Sequence, residues 1–178
     1  IVALLGDQVV PFQVGHVVSG RVTRAPRPAN SQLLEVSNAE QYFGLMNDQK
    51  VVISVSQRRA EIQRQLEEIA TTAGPDAKVQ IDEGLLDEVN FLVEVPVAVL
   101  GRFEEERLSL PSAVLTTVMK KHQRYFPVAG ANGLLPCFIT VSNGQRGDMS
   151  LVRQGNEDVL RARYADAQFF VKDDQSKP

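Results

Sequence analysis

Strand-type and helix-type patterns follow one another along this sequence without a regular alternation. Short runs rich in Val, Ile and Leu are separated by turn residues, because 12 glycines and 9 prolines interrupt them. Other segments carry apolar residues at the spacing of three and four that marks one face of an α-helix. Since the order does not follow strict strand–helix–strand units, we expect a mixed α+β fold with a mostly antiparallel sheet, about seven strands and about four helices.

Several strands and turns can be assigned from local sequence. A hairpin is predicted within residues 1–18, and β-branched runs predict strands over residues 51–55 and 91–101. The Asn-Gly pair at 132–133 is typical of a hairpin turn and precedes a predicted strand over residues 134–141.

The helices are predicted from caps and apolar spacing. We expect a helix over residues 57–71 with Ser56 as its cap, and another from Pro111 to about Tyr125. Residues 79–90 are rich in acids, and helix and loop both remain open there. A last helix is predicted to start at Asn156. Its apolar stripe would consist of Leu160, Tyr164, Ala167 and Val171.

The composition excludes several classes of protein. No apolar run in the 178 residues approaches the ~20 residues that a membrane helix needs, and no signal peptide is recognisable. The single cysteine, Cys137, excludes an internal disulfide and favours a reducing compartment, so a cytoplasmic location is expected. His16 and His122 lack partners at zinc-ligand spacing, so no metal site is predicted. The net charge of −3 argues against indiscriminate nucleic-acid binding.

The sequence starts inside an apolar run. Ile1 is its first residue, and no initiator methionine precedes it. We therefore expect that the sequence is part of a longer protein.

Two basic segments are candidates for contact with nucleic acid. One is the proline-containing loop over residues 19–31, and the other is the helical segment over residues 118–127. At helical spacing the second segment has a basic side, opposite an apolar side that includes His122. The candidate phosphate ligands are Arg21, Arg24, Arg27, Lys120, Lys121 and Arg124. A solvated surface is the alternative for both segments, and core packing is the alternative to base stacking for Tyr125 and Phe126.

A series of motifs occurs in a fixed order from residue 91 onward. It consists of FLVEVPVAVLGRF at 91–103, LSLP at 108–111, MKKHQRYFP at 119–127, NG at 143–144 and GNEDVLRAR at 155–163. The series closely resembles the β subunits of bacterial-type glycyl-tRNA synthetases, and the resemblance extends over about residues 1–175.

The resemblance implies a place in a larger enzyme of two α and two β subunits. ATP, Mg²⁺ and glycine are then expected on the α subunit, so no cofactor is expected in this chain. The β subunit is implied to recognise tRNA-Gly, with no DNA or membrane partner. Residues 1–155 would resemble the editing-type domain of the phenylalanyl-tRNA synthetase β subunit. Residues 156–178 would lead as a helix and linker into a helical, HD-like domain.

The resemblance also assigns roles and shows a departure. His122, Gln123, Tyr125 and Phe126 are implied to be structural residues of the family motif. Members of the family read close to Arg-Gly-His-Arg-Phe where this chain has RAPRP at 24–28, so the role of that histidine is not carried over. We expect tRNA binding and scaffolding without a catalytic residue. The alternatives are an editing deacylase and a purely structural subunit-contact domain.

Overall fold

The computed structural model describes residues 1–26, 32–144 and 148–176. The fold is α+β, and the strand pairs among these residues are all antiparallel, which confirms the predicted class. The chain divides into two compact units, Ile1–Arg58 and Arg59–Pro178. The division of the chain into residues 1–155 and 156–178 stays a prediction.

The described residues of the first unit form three antiparallel pairs of short strands and the helix α1 (Gln41–Asp48). Gly6 and Gly15 adopt positive φ angles of 61° and 60°, which glycine reaches without a steric penalty, in the turns of the first two hairpins. The hairpin predicted in residues 1–18, with its turn at Gly6-Asp7, is confirmed, but residues 13–18 form a second hairpin instead of extending the first. The elements are β1 (Leu4–Leu5), β2 (Gln8–Val9), β3 (Gln13–Val14), β4 (Val17–Val18), β5 (Val22–Arg24), β6 (Leu33–Glu35) and α1 (Gln41–Asp48).

The predicted strand over residues 51–55 is not formed. The carbonyl oxygens of Val52 and Ile53 accept hydrogen bonds from the buried Arg58 guanidinium, at 2.6 and 3.3 Å, instead of pairing with a strand. Helix α2 (Val55–Ala70) follows directly. Its cap is Ser54 rather than the predicted Ser56, because the Ser54 hydroxyl accepts the backbone N–H of Gln57 at 3.4 Å.

A four-stranded antiparallel sheet organises the second unit. Its order is β7-β9-β10-β8, so β7 and β8 are its edges. β9 and β10 form the hairpin that the Asn-Gly pair at 132–133 predicts. The strands are β7 (Lys78–Val79), β8 (Pro96–Arg102), β9 (Phe126–Gly130) and β10 (Gly133–Asn143).

Helices cover both faces of this sheet. The acidic segment left open by the sequence forms α3 (Glu83–Leu92), capped by the Asp82 carboxylate, which accepts the Leu85 N–H at 3.1 Å. The end of α3 therefore takes up the first two residues of the strand predicted over 91–101. Further along the chain lie α4 (Ser112–Thr117), a π-helix (Val118–Gln123) and α5 (Met149–Ser176).

The start of α5 differs from the prediction. The helix begins at Met149, where the Asp148 carboxylate accepts the Ser150 N–H at 2.9 Å. Asn156 lies inside the helix, and its side chain bonds the Val152 carbonyl oxygen rather than capping. The predicted apolar stripe from Leu160 to Val171 is confirmed, because its residues pack into one core cluster.

Two apolar clusters flank the sheet of the second unit, because successive side chains of a strand point to opposite faces. Cys137 and Ile139 of β10 belong to the cluster that contains Ile62 of α2 and Leu86 of α3. Phe138, between them, belongs to the cluster that contains Tyr164 of α5. The strand β10 thus contributes to both clusters of buried residues.

No described helix combines the length and the apolar character that crossing a lipid bilayer would require.

We expect that Gly101→Ala destabilises the second unit by about 1–3 kcal/mol, the usual range for overpacking. A Cβ at Gly101 of β8 would approach the Phe138 ring to 2.4 Å, and this ring is enclosed in the core. Gly84→Ala in α3 is the matched control, since its nearest neighbour would lie at an ordinary 3.5 Å. Urea denaturation of both variants measures the difference. Equal stability of the two variants would show that Phe138 can move aside.

Candidate nucleic-acid interface

The predicted basic helix ends in a π-helix rather than an α-helix. Val118–Gln123 forms the π-helical part, whose i→i+5 bonds change the angle between successive side chains. Val118 and Met119 are buried as predicted, but His122 is exposed. The expectation that His122 shares the apolar side is therefore wrong, because the α-helical angle does not apply in this turn.

A left-handed residue ends the π-helix. Arg124 has φ 58° and ψ 38°, and the N–H of the next residue, Tyr125, bonds the Met119 carbonyl oxygen at 2.9 Å. This conformation turns the chain from the helix surface into β9. It separates exposed residues before the turn from buried residues after it.

The aromatic residues of the motif face the core. Tyr125 and Phe126 are 3% and 0% exposed. The Tyr125 ring stacks on Phe138 with 4.5 Å between centroids, and its hydroxyl donates to Asn156 Oδ1 at 2.6 Å. Burial raises the pKa of Tyr125 to about 12. These rings support the π-helix and offer no surface on which a base could stack, while Gln123 is half-buried beside them.

Two of the three predicted cations of this helix are paired with α3. Lys120 Nζ lies 3.5 Å from Asp82 Oδ2, and Arg124 Nε lies 2.5 Å from Glu88 Oε1. The Asp82 pKa is lowered, first by the Leu85 N–H and further by the Lys120 charge. These exposed pairs are worth about 0–1 kcal/mol each, so they order the cations more than they stabilise the fold.

Arg59 of α2 completes the charge pattern around α3. It pairs with Glu83 and Asp87, the latter at 2.7 Å. The sequence analysis missed this arginine, although four acids within residues 82–88 are a signal that cations lie nearby. Lys121 is different, since it is exposed and makes no ion pair with any residue that the structure describes.

The predicted arginines of the 19–31 loop belong to the first unit. Arg21 donates to the carbonyl oxygens of Asp7 and Ser37 at 3.0 and 3.2 Å, so it holds neighbouring turns together. Arg24 is exposed at the end of β5, opposite Leu33. Arg27 lies outside the described residues.

The described residues provide little for covalent or metal chemistry. Cys137 is 1% exposed, and burial raises the pKa of its thiol, which disfavours the nucleophilic thiolate. Within residues 1–26, 32–144 and 148–176, no group of three or more His, Cys, Asp or Glu side chains is arranged to hold a metal ion.

Comparison with known proteins decides the family. The model of the family described as glycyl-tRNA synthetase beta subunit matches residues 1–178. The chain belongs to the glycyl-tRNA synthetase beta subunit family. The glycine–tRNA ligase beta subunit of Bacillus subtilis is 48% identical over 176 residues, which are 98% of this chain and 26% of that protein.

Other relatives give the same result. The glycine–tRNA ligase beta subunit of Syntrophotalea carbinolica is 47% identical over 98% of this chain and 25% of its own length. That of Clostridioides difficile is 41% identical over 99% of this chain and 25% of its own. The chain thus spans about a quarter of the length of these family members.

We expect that Tyr125→Phe lowers the free energy of unfolding by about 1–2 kcal/mol, because Asn156 loses its hydroxyl donor. The raised pKa adds a pH dependence. The unfolded chain loses the tyrosine proton from about pH 10, while the folded chain keeps it until about pH 12. The free energy of unfolding therefore falls between these pH values. Tyr125→Phe has no hydroxyl at this position, so it lacks the part of the fall that Tyr125 causes.

Urea titrations of the wild type and Tyr125→Phe at pH 8 and pH 11 measure both effects. The difference in the free energy of unfolding between the two proteins should be smaller at pH 11 than at pH 8. An unchanged difference would mean that the Tyr125 hydroxyl titrates equally in the folded and unfolded chains. The Tyr164 pKa is also raised by burial and is common to both proteins, so it cancels in the comparison.

Proposed function

We propose that this chain is a segment of the β subunit of a glycine–tRNA ligase and contributes tRNA-Gly binding and scaffolding rather than chemistry. The observation that carries the proposal is the family match, which extends along the whole chain. The reaction is the ATP-dependent attachment of glycine to tRNA-Gly. Its ATP and Mg²⁺ would bind an α subunit, and the partners would be that α subunit and a second β subunit. The site of action would be the cytoplasm, where translation uses the product.

The proposed tRNA contact is centred on Lys121. This lysine lies at the surface of the π-helix, between Lys120 and the exposed His122. A phosphate group near Lys121 would also attract Lys120 and Arg124, whose present partners are exposed carboxylates. Exposed ion pairs are weak, so an RNA phosphate can compete with them at a modest cost.

A second role is supported by the same ion pairs. Because Lys120 and Arg124 already neutralise α3, the surface could serve contact between subunits without touching tRNA. The editing deacylase rests on the expected resemblance to an editing-type domain, which stays a prediction, and a shared fold would not by itself transfer the activity.

Lys121→Glu distinguishes tRNA contact from subunit contact. We expect it to raise the KM for tRNA-Gly of the reconstituted α–β enzyme about threefold to tenfold, with kcat nearly unchanged. The dependence of log KM on log salt should become shallower by about one, because one phosphate contact is lost. Aminoacylation kinetics over a range of KCl concentrations measure both values.

The control is Lys78→Glu, which reverses another exposed lysine on the edge strand β7. Co-purification of the subunits shows whether assembly is intact in both variants. If the two variants have the same tRNA KM, or if Lys121→Glu weakens assembly instead, the tRNA contact is refuted. The double variant Arg124→Glu with Glu88→Arg exchanges the two partners and so retains the ion pair. It tests whether position 124 also contacts tRNA.

A further inference from the structure

Helix α5 has two apolar sides. Its inner side packs into the core, where Leu160 and Tyr164 are fully buried. At about 100° per residue, a second set of residues lies within an arc of about 100° on the opposite side. We call this set the outer stripe. It consists of Leu151, Val152, Gly155, Val159, Ala162, Asp166, Phe169, Phe170 and Asp173.

The spacing of the outer stripe is that of a helix–helix seam. Val152, Gly155, Val159, Ala162, Asp166 and Phe169 follow one another at alternating intervals of three and four residues. This repeat keeps one side of a helix in contact with a neighbouring helix along several turns. Any one side of an α-helix shows these intervals, but large apolar side chains on an exposed side are unusual for a solvated helix.

Large apolar side chains of the outer stripe are exposed. Leu151, Phe169 and Phe170 are 66%, 68% and 64% exposed, and Val159 is 43% exposed. The two phenylalanine rings contact each other edge to face, with 5.7 Å between centroids. Large apolar side chains exposed along one side of a helix mark contact with another protein surface, and aromatic residues usually supply most of its energy.

The stripe continues into a groove at the start of the helix. A groove of about 360 Å³ lies between α5 and the end of β10. Leu151, Val152, Gly155 and Asn156 form its helical wall. A Cβ at Gly155 would meet nothing within 4 Å, so the wall is open for close approach of another backbone. Side chains of a helix lying along the stripe would have room to enter this groove.

We propose that the outer stripe is the docking site for an amphipathic α-helix from the part of the full-length β subunit outside these 178 residues. A straight side of a long helix with exposed apolar side chains over several turns fits a second helix packed along it. The curated relatives are about four times as long as the matched region, so each has ample polypeptide to supply such a helix. The proposal rests on the proposed function only in taking the chain as a segment of that subunit.

Asp166 specifies one feature of the docked helix. It lies in the middle of the stripe between Ala162 and Phe169, and it makes no ion pair with any described residue. A carboxylate at a seam position is costly unless a cation faces it. The docked helix should therefore present a Lys or Arg at that level.

Photo-crosslinking in the full-length β subunit identifies the occupant. Phe169 is replaced by p-benzoylphenylalanine, and the purified subunit is irradiated alone and with the α subunit and tRNA-Gly. We expect a crosslink within the same polypeptide, to a segment outside these 178 residues that has helical apolar spacing. Peptide mass spectrometry locates it. Crosslinks to the α subunit, to a second β subunit or to tRNA, or no crosslink at all, would overturn the proposal.

A matched pair of substitutions provides a second test. Ala162 lies in the stripe and Ala165 outside it, and both are exposed. Within α5 itself, a lysine at 162 gains Asp158 and Asp166 as i±4 neighbours, whereas a lysine at 165 gains the like charge of Arg161. Local helix electrostatics thus favour Ala162→Lys over Ala165→Lys.

Docking of a helix on the outer stripe predicts the opposite order of stability, with Ala162→Lys less stable than Ala165→Lys. We expect Ala162→Lys to lower the Tm of the full-length subunit by more than about 3 °C relative to Ala165→Lys. An equal or higher Tm for Ala162→Lys would refute the docking site. Neither measurement uses tRNA affinity, so failure here is distinguishable from failure of the tRNA contact at Lys121.

Discussion

The strand β10 packs into two apolar clusters, one on each face of the sheet, and this constraint determines the arrangement of the second unit. Its side chains alternate between a cluster with α2 and α3 and a cluster with α4, the π-helix and α5. A shift of one residue in its pairing with β8 would exchange every side chain between the faces. The absence of a side chain at Gly101 leaves room for the outer end of the Phe138 ring, and Tyr125 stacks on that ring.

This arrangement explains how an acidic domain can present cations in an ordered way. The Tyr125 ring is held between Phe138 and Asn156, so the π-helix that precedes it cannot rotate freely. Its basic residues then lie beside the carboxylates of α3. The net charge of −3 is therefore compatible with a local group of fixed cations, but these cations are largely compensated where they stand.

Patterns that depend on neighbouring residues were predictable from the sequence. The inner stripe of α5 and the β9–β10 turn follow from local spacing and from Asn-Gly chemistry, and the family follows from motifs kept in order. The strand predicted at 51–55 fails because Arg58, several residues away, takes the carbonyl bonds that a strand would use. Asn156 resembles a helix cap, but Tyr125, 31 residues earlier, bonds its side chain inside the helix.

The candidate site depended even more on distant partners. The π-helix has no signature in the sequence, so the exposure of His122 could not be foreseen from an ideal helical angle. The pairing of Lys120 with Asp82 spans 38 positions, and that of Arg124 with Glu88 spans 36. Such contacts arise only when the sheet brings α3 and the π-helix together. Counting Lys and Arg residues alone therefore overestimates how many cations are available to bind nucleic-acid phosphates.

The two carboxylate oxygens of Asp82 contact different groups. Oδ1 caps α3 through the Leu85 N–H, while Oδ2 faces Lys120. The ammonium group of Lys120 can therefore exchange its carboxylate neighbour for another anion without uncapping the helix. Because the fold and the exchangeable contact use separate atoms, a change of ionic partner at this surface leaves the architecture beneath it intact.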